Sequence, residues 1–248
     1  MSLIANKRMR GRILFLSLFF VVAGILIILF LMHSQVDNSL TEEDYVYIKK
    51  FLKEDNVHPF QAGLGYTEEI RYIAAVQQAV LKRAPSRIGI NHNKEREPKD
   101  VYLVQSGACY DRSRVIEKIL KIAGFFTRHI SVYSSAKTRS TLKTMISPGV
   151  QSHAVSEVKT EKGWLVVDSN NPWIGLDHQN NPVSISTIQD SVGNEVIRWR
   201  EDLLSEMHVI FKKPFIFVYG LYSRHGKFYP PYNDIPDINY LESAYNFF

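Results

Sequence analysis

Residues 101–126 read VYLVQSGACYDRSRVIEKILKIAGFF and contain the one cysteine of the chain, Cys109. A turn signal at Ser106-Gly107 precedes this cysteine, and apolar residues then recur at helical spacing. These apolar residues are Val115, Ile116, Ile119, Leu120 and Ala123. Gly124 is a typical helix terminator. The pattern therefore predicts a helix that begins at Cys109 and ends before Gly124.

Residues 153–168, HAVSEVKTEKGWLVVD, predict a β-hairpin. Residues 153–158 alternate in the manner of a strand, and Glu161-Lys162-Gly163 is a hairpin turn signal. His153 begins the first strand and Asp168 ends the second, so the two residues are expected to lie opposite each other. A further strand is predicted at 125–133. The order helix, strand, hairpin is typical of an α+β fold with a helix packed on an antiparallel sheet.

Two more helices are predicted ahead of this region. The first begins after Thr41, which is a good N-cap followed by acidic residues. The second begins at Thr67 and ends at Pro85, because proline cannot continue a helix. The remaining segments are predicted as loops at 86–100 and 134–152, a strand at 215–219 and an aromatic, proline-broken tail without an assigned role.

The cysteine, histidine and aspartate together suggest nucleophilic chemistry. A thiol attacks as the thiolate, and the start of a helix or a nearby imidazolium favours that form. Cys109 lies where a turn enters a helix, and Gly107 allows close approach of the backbone. His153 is the candidate general base and Asp168 the carboxylate that orients it. Backbone N–H groups at the helix start, and the side chain of Gln105, are candidates for stabilising an oxyanion.

Three blocks of the sequence resemble the transglutaminase-like superfamily. The cysteine block is 107–111 with 120–128, the histidine block is 153–158 and the aspartate block is 163–168. They occur in the order of the family and cover roughly residues 100–175. The resemblance implies a papain-like α+β fold and thiol acyl-transfer chemistry. It also implies that Cys109 is the nucleophile, His153 the base and Asp168 the orienting residue.

Each of these residues has a simpler structural interpretation. A lone cysteine is often a buried small hydrophobe, and a strand-end aspartate often caps the next turn. His129 and His178 are the rival histidines, and neither lies in a comparable block. One cysteine without paired histidines falls short of the usual zinc ligand sets. The sequence therefore predicts no metal and no cofactor.

The N-terminal region predicts a membrane anchor. Residues 13–32 are uncharged and, at 1.5 Å per residue, span roughly 30 Å, the thickness of a bilayer core. A cleaved signal peptide has a shorter apolar region and a small-residue cleavage site. Residues 1–12 carry basic charge, and acidic residues follow the span, so the positive-inside rule places the N-terminus in the cytoplasm. The rest of the chain would then lie outside, on the periplasmic or extracellular face in a bacterium.

Charge and length limit the remaining interpretations. The formal net charge is +5, and four of the basic residues precede the apolar span, so the remainder is nearly neutral. A nucleic-acid-binding domain is typically basic, so no nucleic-acid partner is expected. The predicted organisation is a basic segment at 1–12, a transmembrane helix at 13–32, a linker at 33–40 and one domain at 41–248. The sequence does not predict an oligomeric state.

Two functions from different classes remain open. The first is a membrane-anchored thiol acyl-transfer enzyme that acts on amide or ester bonds, with a peptide or protein as its expected substrate. Water as the acceptor would make it a peptidase or amidase, and an amine would make it a transferase. The second is a catalytically silent transglutaminase-like fold that serves as a binding or scaffold module in a cell-envelope or polysaccharide-export assembly.

Overall fold

The computed structural model describes residues 2–61, 63–91, 94–192, 197–200, 202, 206–224 and 235–247, with side chains described from residue 13 onward. The chain divides into two compact units, Met1–Gln35 and Val36–Phe248. The division falls within the predicted linker at 33–40.

The first unit is a single long helix, α1 (Ser2–Ser34). Its segment Ile13–Ser34 has a mean hydropathy of 3.2 and is long and apolar enough to cross a membrane. Its large apolar side chains between Ile13 and Met32 are exposed. Apolar side chains exposed on every face of a helix need an apolar environment, which is the property expected of a span.

The second unit is built on a four-stranded antiparallel sheet. Its strands are β1 (Thr127–Ser134), β2 (Ser152–Thr160), β3 (Gly163–Asp168) and β4 (Phe215–Tyr219), in the order β3-β2-β1-β4. A smaller antiparallel pair consists of β5 (Leu221–Tyr222) and β6 (Asp237–Ile238). The predicted hairpin and both predicted single strands are therefore present.

Three longer helices belong to this unit: α2 (Glu42–Glu54), α3 (Tyr66–Arg83) and α5 (Cys109–Ile122). Thr41 caps α2 as expected, because its side chain accepts from the Asp44 N–H while Asp44 accepts from the Thr41 N–H. Helix α3 begins one residue earlier than predicted, after Gly65. Gly124 follows α5 with φ of +89°, the left-handed conformation that glycine readily adopts.

Short helices interrupt the segments predicted as irregular. They are α4 (Pro98–Val104), α6 (Thr141–Ile146), α7 (Ile185–Ser191) and α8 (Tyr240–Ser243), with 3₁₀ turns at Val209–Lys212 and Ala244–Asn246. The predicted loops at 86–100 and 134–152 were therefore wrong in part. Helices of one or two turns show too little periodicity to be read from sequence, and caps and tertiary contacts hold them.

The sheet separates two apolar clusters. Helix α5 packs on one face, where Val158, Leu165 and Val167 join the buried side chains of α2 and α3. Neighbouring strand residues point to the opposite face, so Val155 and Val166 belong to a second cluster with α7 and the 3₁₀ turn at Val209–Lys212. Full burial of an aliphatic side chain contributes about 1.5–3 kcal/mol, so both faces hold the sheet in place.

The hairpin register differs from the predicted one. The turn contains only Glu161 and Lys162, because Thr160 already pairs with Gly163. Asp168 therefore pairs with Val155 and not with His153, which the sequence placed opposite it. Residues two apart on a strand share a face, so His153 and Asp168 are diagonal neighbours on the same side of the sheet.

Part of the predicted linker lies against the second unit. The Val36 N–H donates to the carbonyl of Ile238 at 3.0 Å, which extends the edge of the small sheet. Arg114 of α5 donates to the carbonyl of Asp37 at 2.6 Å and to the side chain of Asn38 at 2.8 Å. Residues 36–38 are thus ordered by contacts with the domain.

Candidate active site

Cys109 is the first residue of α5, and a fixed turn presents it. The Asp111 carboxylate accepts the Ala108 N–H at 2.9 Å and forms a buried ion pair with Arg96 at 2.8 Å. A Cβ on Gly107 would lie 3.2 Å from the Cβ of Asp111, tighter than ordinary contact. A side chain at this position would therefore crowd the first turn of α5. The close approach of a ligand that was expected at Gly107 stays a prediction.

His153 and Asp168 form a buried pair. His153 Nε2 lies 3.1 Å from Asp168 Oδ1, and the two side chains are 1% and 0% exposed. Their diagonal placement across β2 and β3 permits this contact, because an imidazole reaches further than the Cβ spacing of the strands. The structure therefore brings together two of the three predicted residues.

The turn after β3 fixes the carboxylate of Asp168. Its Oδ1 also accepts the backbone N–H groups of Asn170 at 2.6 Å and Asn171 at 3.1 Å. Gln77 of α3 donates to the carbonyls of Asp168 and Trp173, both at 2.7 Å. Asp168 thus caps the turn, as its simpler interpretation held, and orients His153 at the same time.

Cys109 completes the arrangement. Its thiol lies within hydrogen-bonding reach of the His153 imidazole, whose Nε2 is occupied by Asp168. Burial alone would lower the pKa of His153, but the charge of Asp168 and hydrogen bonds with Asp168 and Cys109 raise it to about 10. Burial opposes ionisation of Asp168 as well, and His153 nevertheless holds the pKa of Asp168 below its usual value. The imidazole is accordingly protonated at neutral pH.

A second histidine, His208, was not found by sequence reasoning. Its ring stacks on that of His153 with centroids 4.1 Å apart and planes 17° apart. Burial, followed by the charge of His153, lowers the pKa of His208 to about 4. His208 is therefore a neutral ring that covers the charged one. It lies in a segment without regular periodicity, and no sequence signal connects it to the hairpin.

The oxyanion candidates differ in their placement. Gln105 is the C-cap of α4 with φ of 55° and is exposed, and its side chain forms no hydrogen bond within the described part of the chain. The Asp111 and Arg112 N–H groups both donate to the carbonyl of Ala108. The Cys109 N–H forms no hydrogen bond with any described residue, so it is available beside the thiol.

His129 forms another buried pair that the sequence did not predict. Its Nδ1 lies 2.8 Å from Glu117 Oε1, which also accepts the hydroxyl of Ser156 at 2.8 Å. The Ser156 hydroxyl thus donates to the carboxylate and not to the imidazole, so this group lacks an activated nucleophile. His178 is exposed and bonds only to the carbonyl of Arg198. Within the described ranges, no group of three or more His, Cys, Asp or Glu side chains could hold a metal ion.

A cysteine at the start of a helix, packed on an antiparallel sheet that carries a histidine and an aspartate, defines a papain-like α+β core. Residues 60–169 match the family model described as the transglutaminase-like superfamily. The resemblance predicted from the three sequence blocks is thereby confirmed. Such a core is generally associated with thiol acyl transfer.

Comparison with solved structures also finds similar chains. An arylamine N-acetyltransferase from Salmonella typhimurium aligns with a TM-score of 0.32 and 16% identity. The alignment covers 53% of this chain and 45% of that one. Among curated proteins, no sequence matches this chain.

Proposed function

We propose that this protein is a membrane-anchored thiol acyl-transfer enzyme in which Cys109, His153 and Asp168 form a catalytic triad. The observation that carries the proposal is the buried contact of 3.1 Å between His153 and Asp168, with the thiol at the start of α5 beside the imidazole. The triad has the order of roles that nucleophilic catalysis requires, with a nucleophile, a base and a residue that orients the base.

In the first half-reaction the Cys109 thiolate attacks the carbonyl carbon of an amide or ester. A C–S bond forms and the carbonyl oxygen takes up the electron pair, beside the available Cys109 N–H. When the oxyanion collapses, the C–N or C–O bond breaks. The His153 imidazolium gives its proton to the leaving group. The product is a thioester on Cys109 and a neutral imidazole.

In the second half-reaction an acceptor regenerates the enzyme. Water or an amine attacks the thioester carbon while His153 takes its proton, and the C–S bond breaks to release the thiolate. Water gives a peptidase or amidase, and an amine gives a transferase. A peptide or protein is the proposed substrate. The apolar segment Ile13–Ser34 supports the proposed anchor, with the domain on the outer face of the membrane.

Acylation by an activated ester tests the proposal. The full chain in detergent micelles is mixed with p-nitrophenyl acetate, and nitrophenol release and intact mass are followed together. We expect a burst of about one nitrophenol per chain and the gain of one acetyl group, since the thioester accumulates before it turns over. An added primary amine that speeds turnover would identify transfer as the second step.

Two variants control this experiment. His153→Ala is expected to reduce the burst rate by about a hundredfold, the lower range for loss of a general base. His178→Ala replaces an exposed histidine and should leave the rate unchanged. A chain that folds but remains unacylated would contradict the enzyme and favour the binding or scaffold module.

A further inference from the structure

A cavity of about 360 Å³ lies between α3 and the turn that follows Asp168. Its lining includes three basic side chains, Lys82, Arg87 and Arg112, together with Asn170. Lys82 forms an ion pair with Asp55, so its charge is already balanced. Of the two arginines, Arg87 is exposed and Arg112 is buried.

Arg112 is a buried cation that lacks a carboxylate partner among the described residues. Arg112 is 2% exposed, and its guanidinium donates a hydrogen bond to Asn170 Oδ1 at 2.6 Å. Its Nε is buried and has no hydrogen-bond partner in the described part of the chain. Other buried arginines do pair: Arg96 with Asp111, Arg114 with Glu97 and Arg128 with Glu157. The charges of Cys109, Asp168 and Asp111 act on Arg112, but none of these groups forms an ion pair with it among the described residues. A buried guanidinium without a direct ion pair can therefore bind an anion favourably.

Arg87 supplies a second charge to the same cavity. It donates to the carbonyl of Asn170 at 3.1 Å and to the side chain of Asn171 at 2.9 Å, and within the described residues it has no carboxylate partner. The positive charge of Arg87 contributes to the lowered pKa of Arg112, and both arginines donate to Asn170. The two guanidinium groups are therefore close. Two neighbouring guanidinium groups match the two oxygens of a carboxylate.

The cavity adjoins the candidate triad. Arg112 lies three residues after Cys109, which places both on one face of α5. Burial lowers the pKa of Arg112, and the charge of Cys109 opposes that shift, so the guanidinium and the thiol interact. Asn170 follows Asp168 by two residues and donates its N–H to that carboxylate.

We infer that Arg87, Arg112 and Asn170 form an anion subsite, which binds a carboxylate of the substrate beside Cys109. The inference rests on the proposed acyl transfer at Cys109 and deepens it by naming the substrate class. The substrate is a peptide with an acidic side chain, or a free C-terminal carboxylate, next to the bond that is cleaved. The substrate carboxylate supplies the negative charge that the buried guanidinium lacks.

Two alkylating reagents that differ only in charge test the subsite. Iodoacetate carries a carboxylate and iodoacetamide carries the neutral amide, and Cys109 is the single thiol of the chain. Rates are measured for the full chain in detergent micelles and for glutathione, at the same pH and low ionic strength. We expect the ratio of the iodoacetate rate to the iodoacetamide rate to exceed that of glutathione by about tenfold, the effect of one charge-assisted hydrogen bond. Succinate should protect the thiol and succinamide should not.

Three variants make the result specific. Arg112→Gln and Arg87→Gln should each bring the ratio towards that of glutathione, and Arg87 is exposed, so its replacement does not endanger folding. Arg71→Gln removes an arginine with a side chain 70% exposed on α3 and should leave the ratio unchanged. A normal iodoacetamide rate with a ratio equal to that of glutathione would overturn the subsite alone. A thiol slow towards both reagents would overturn the proposed function and the subsite with it.

Discussion

At the scale of single residues, the candidate site depends on the ionised forms of His153 and Asp168, which burial disfavours. His153 and Asp168 are almost fully removed from water, where each alone would favour its neutral form. Their contact reverses this preference for both groups. The neutral ring of His208 stacks on the imidazole of His153 and limits its movement. The two side chains therefore form a preformed, buried ion pair.

The Asp168→Asn variant should show a pH-dependent loss of stability. The pKa of His153 is raised from 6.5 to about 10, so its contribution is complete below pH 6.5 and is lost as the pH rises through 10. The contribution of Asp168, whose pKa is lowered, is present above 3.8 and is lost as the pH falls below that value. We expect a loss of about 3–5 kcal/mol near neutral pH, the usual effect of removing one partner of a buried pair.

Thermal unfolding of the full chain at about pH 6, 8 and 10 measures this effect, and the difference from the wild type should shrink towards the highest pH. Asp202→Asn is the matched control, because the Asp202 side chain is 63% exposed in its pair with Arg200. An exposed pair contributes about 0–1 kcal/mol. A difference for Asp168→Asn that stays constant over this range would contradict the ion pair.

At the scale of elements, one helix and two strands each carry one residue of the candidate site. Helix α5 presents Cys109, β2 carries His153 and the end of β3 carries Asp168. The helix and the hairpin were predictable, because periodicity of 3.6 and of 2 persists through them and clear turn signals end them. The hairpin register was not predictable. Glu161, Lys162 and Gly163 all have a turn composition, but only the first two form the turn.

Other parts of the site depend on contacts that are distant in sequence. Gln77 lies on a helical face with apolar neighbours, and only the fold shows that it holds the turn after Asp168. His208 stacks on His153 although the two residues are more than fifty positions apart in the sequence. Arg112 reads as a polar position on an amphipathic helix, and its burial without a carboxylate is visible only in three dimensions. Local patterns carry no information on such partners.

Helix α1 gives an element-scale prediction. If Ile13–Ser34 is an uncleaved anchor, the full chain should stay with membranes during alkaline extraction, and its intact mass should include residues 1–34. Val22→Arg with Ile25→Arg should weaken insertion, since each arginine near the centre of a span costs about 2.5–3.5 kcal/mol. Ser17→Ala should have no effect. A shortened chain in the soluble fraction would instead identify a cleaved signal sequence.

At the scale of the whole molecule, the chain combines a long apolar helix with an α+β unit in which residues 60–169 match the transglutaminase-like family model. Sequence blocks predicted the class of the core because its cysteine, histidine and aspartate lie at the ends of regular elements. The region after Asp168 was largely unassigned, and it contributes α7, β4 and the residues that close the second face of the sheet. Because Cys109 is the single thiol of the chain, alkylation of the full chain reports on this residue alone.

The most direct test of the triad is the rate of Cys109 alkylation by iodoacetamide as a function of pH. With the full chain in detergent micelles, we expect rapid reaction well below pH 8, because a protonated His153 stabilises the thiolate. His153→Ala should remove this reactivity at low pH, and His178→Ala should leave it intact. A pH profile equal to that of free cysteine, unchanged in His153→Ala, would contradict the triad.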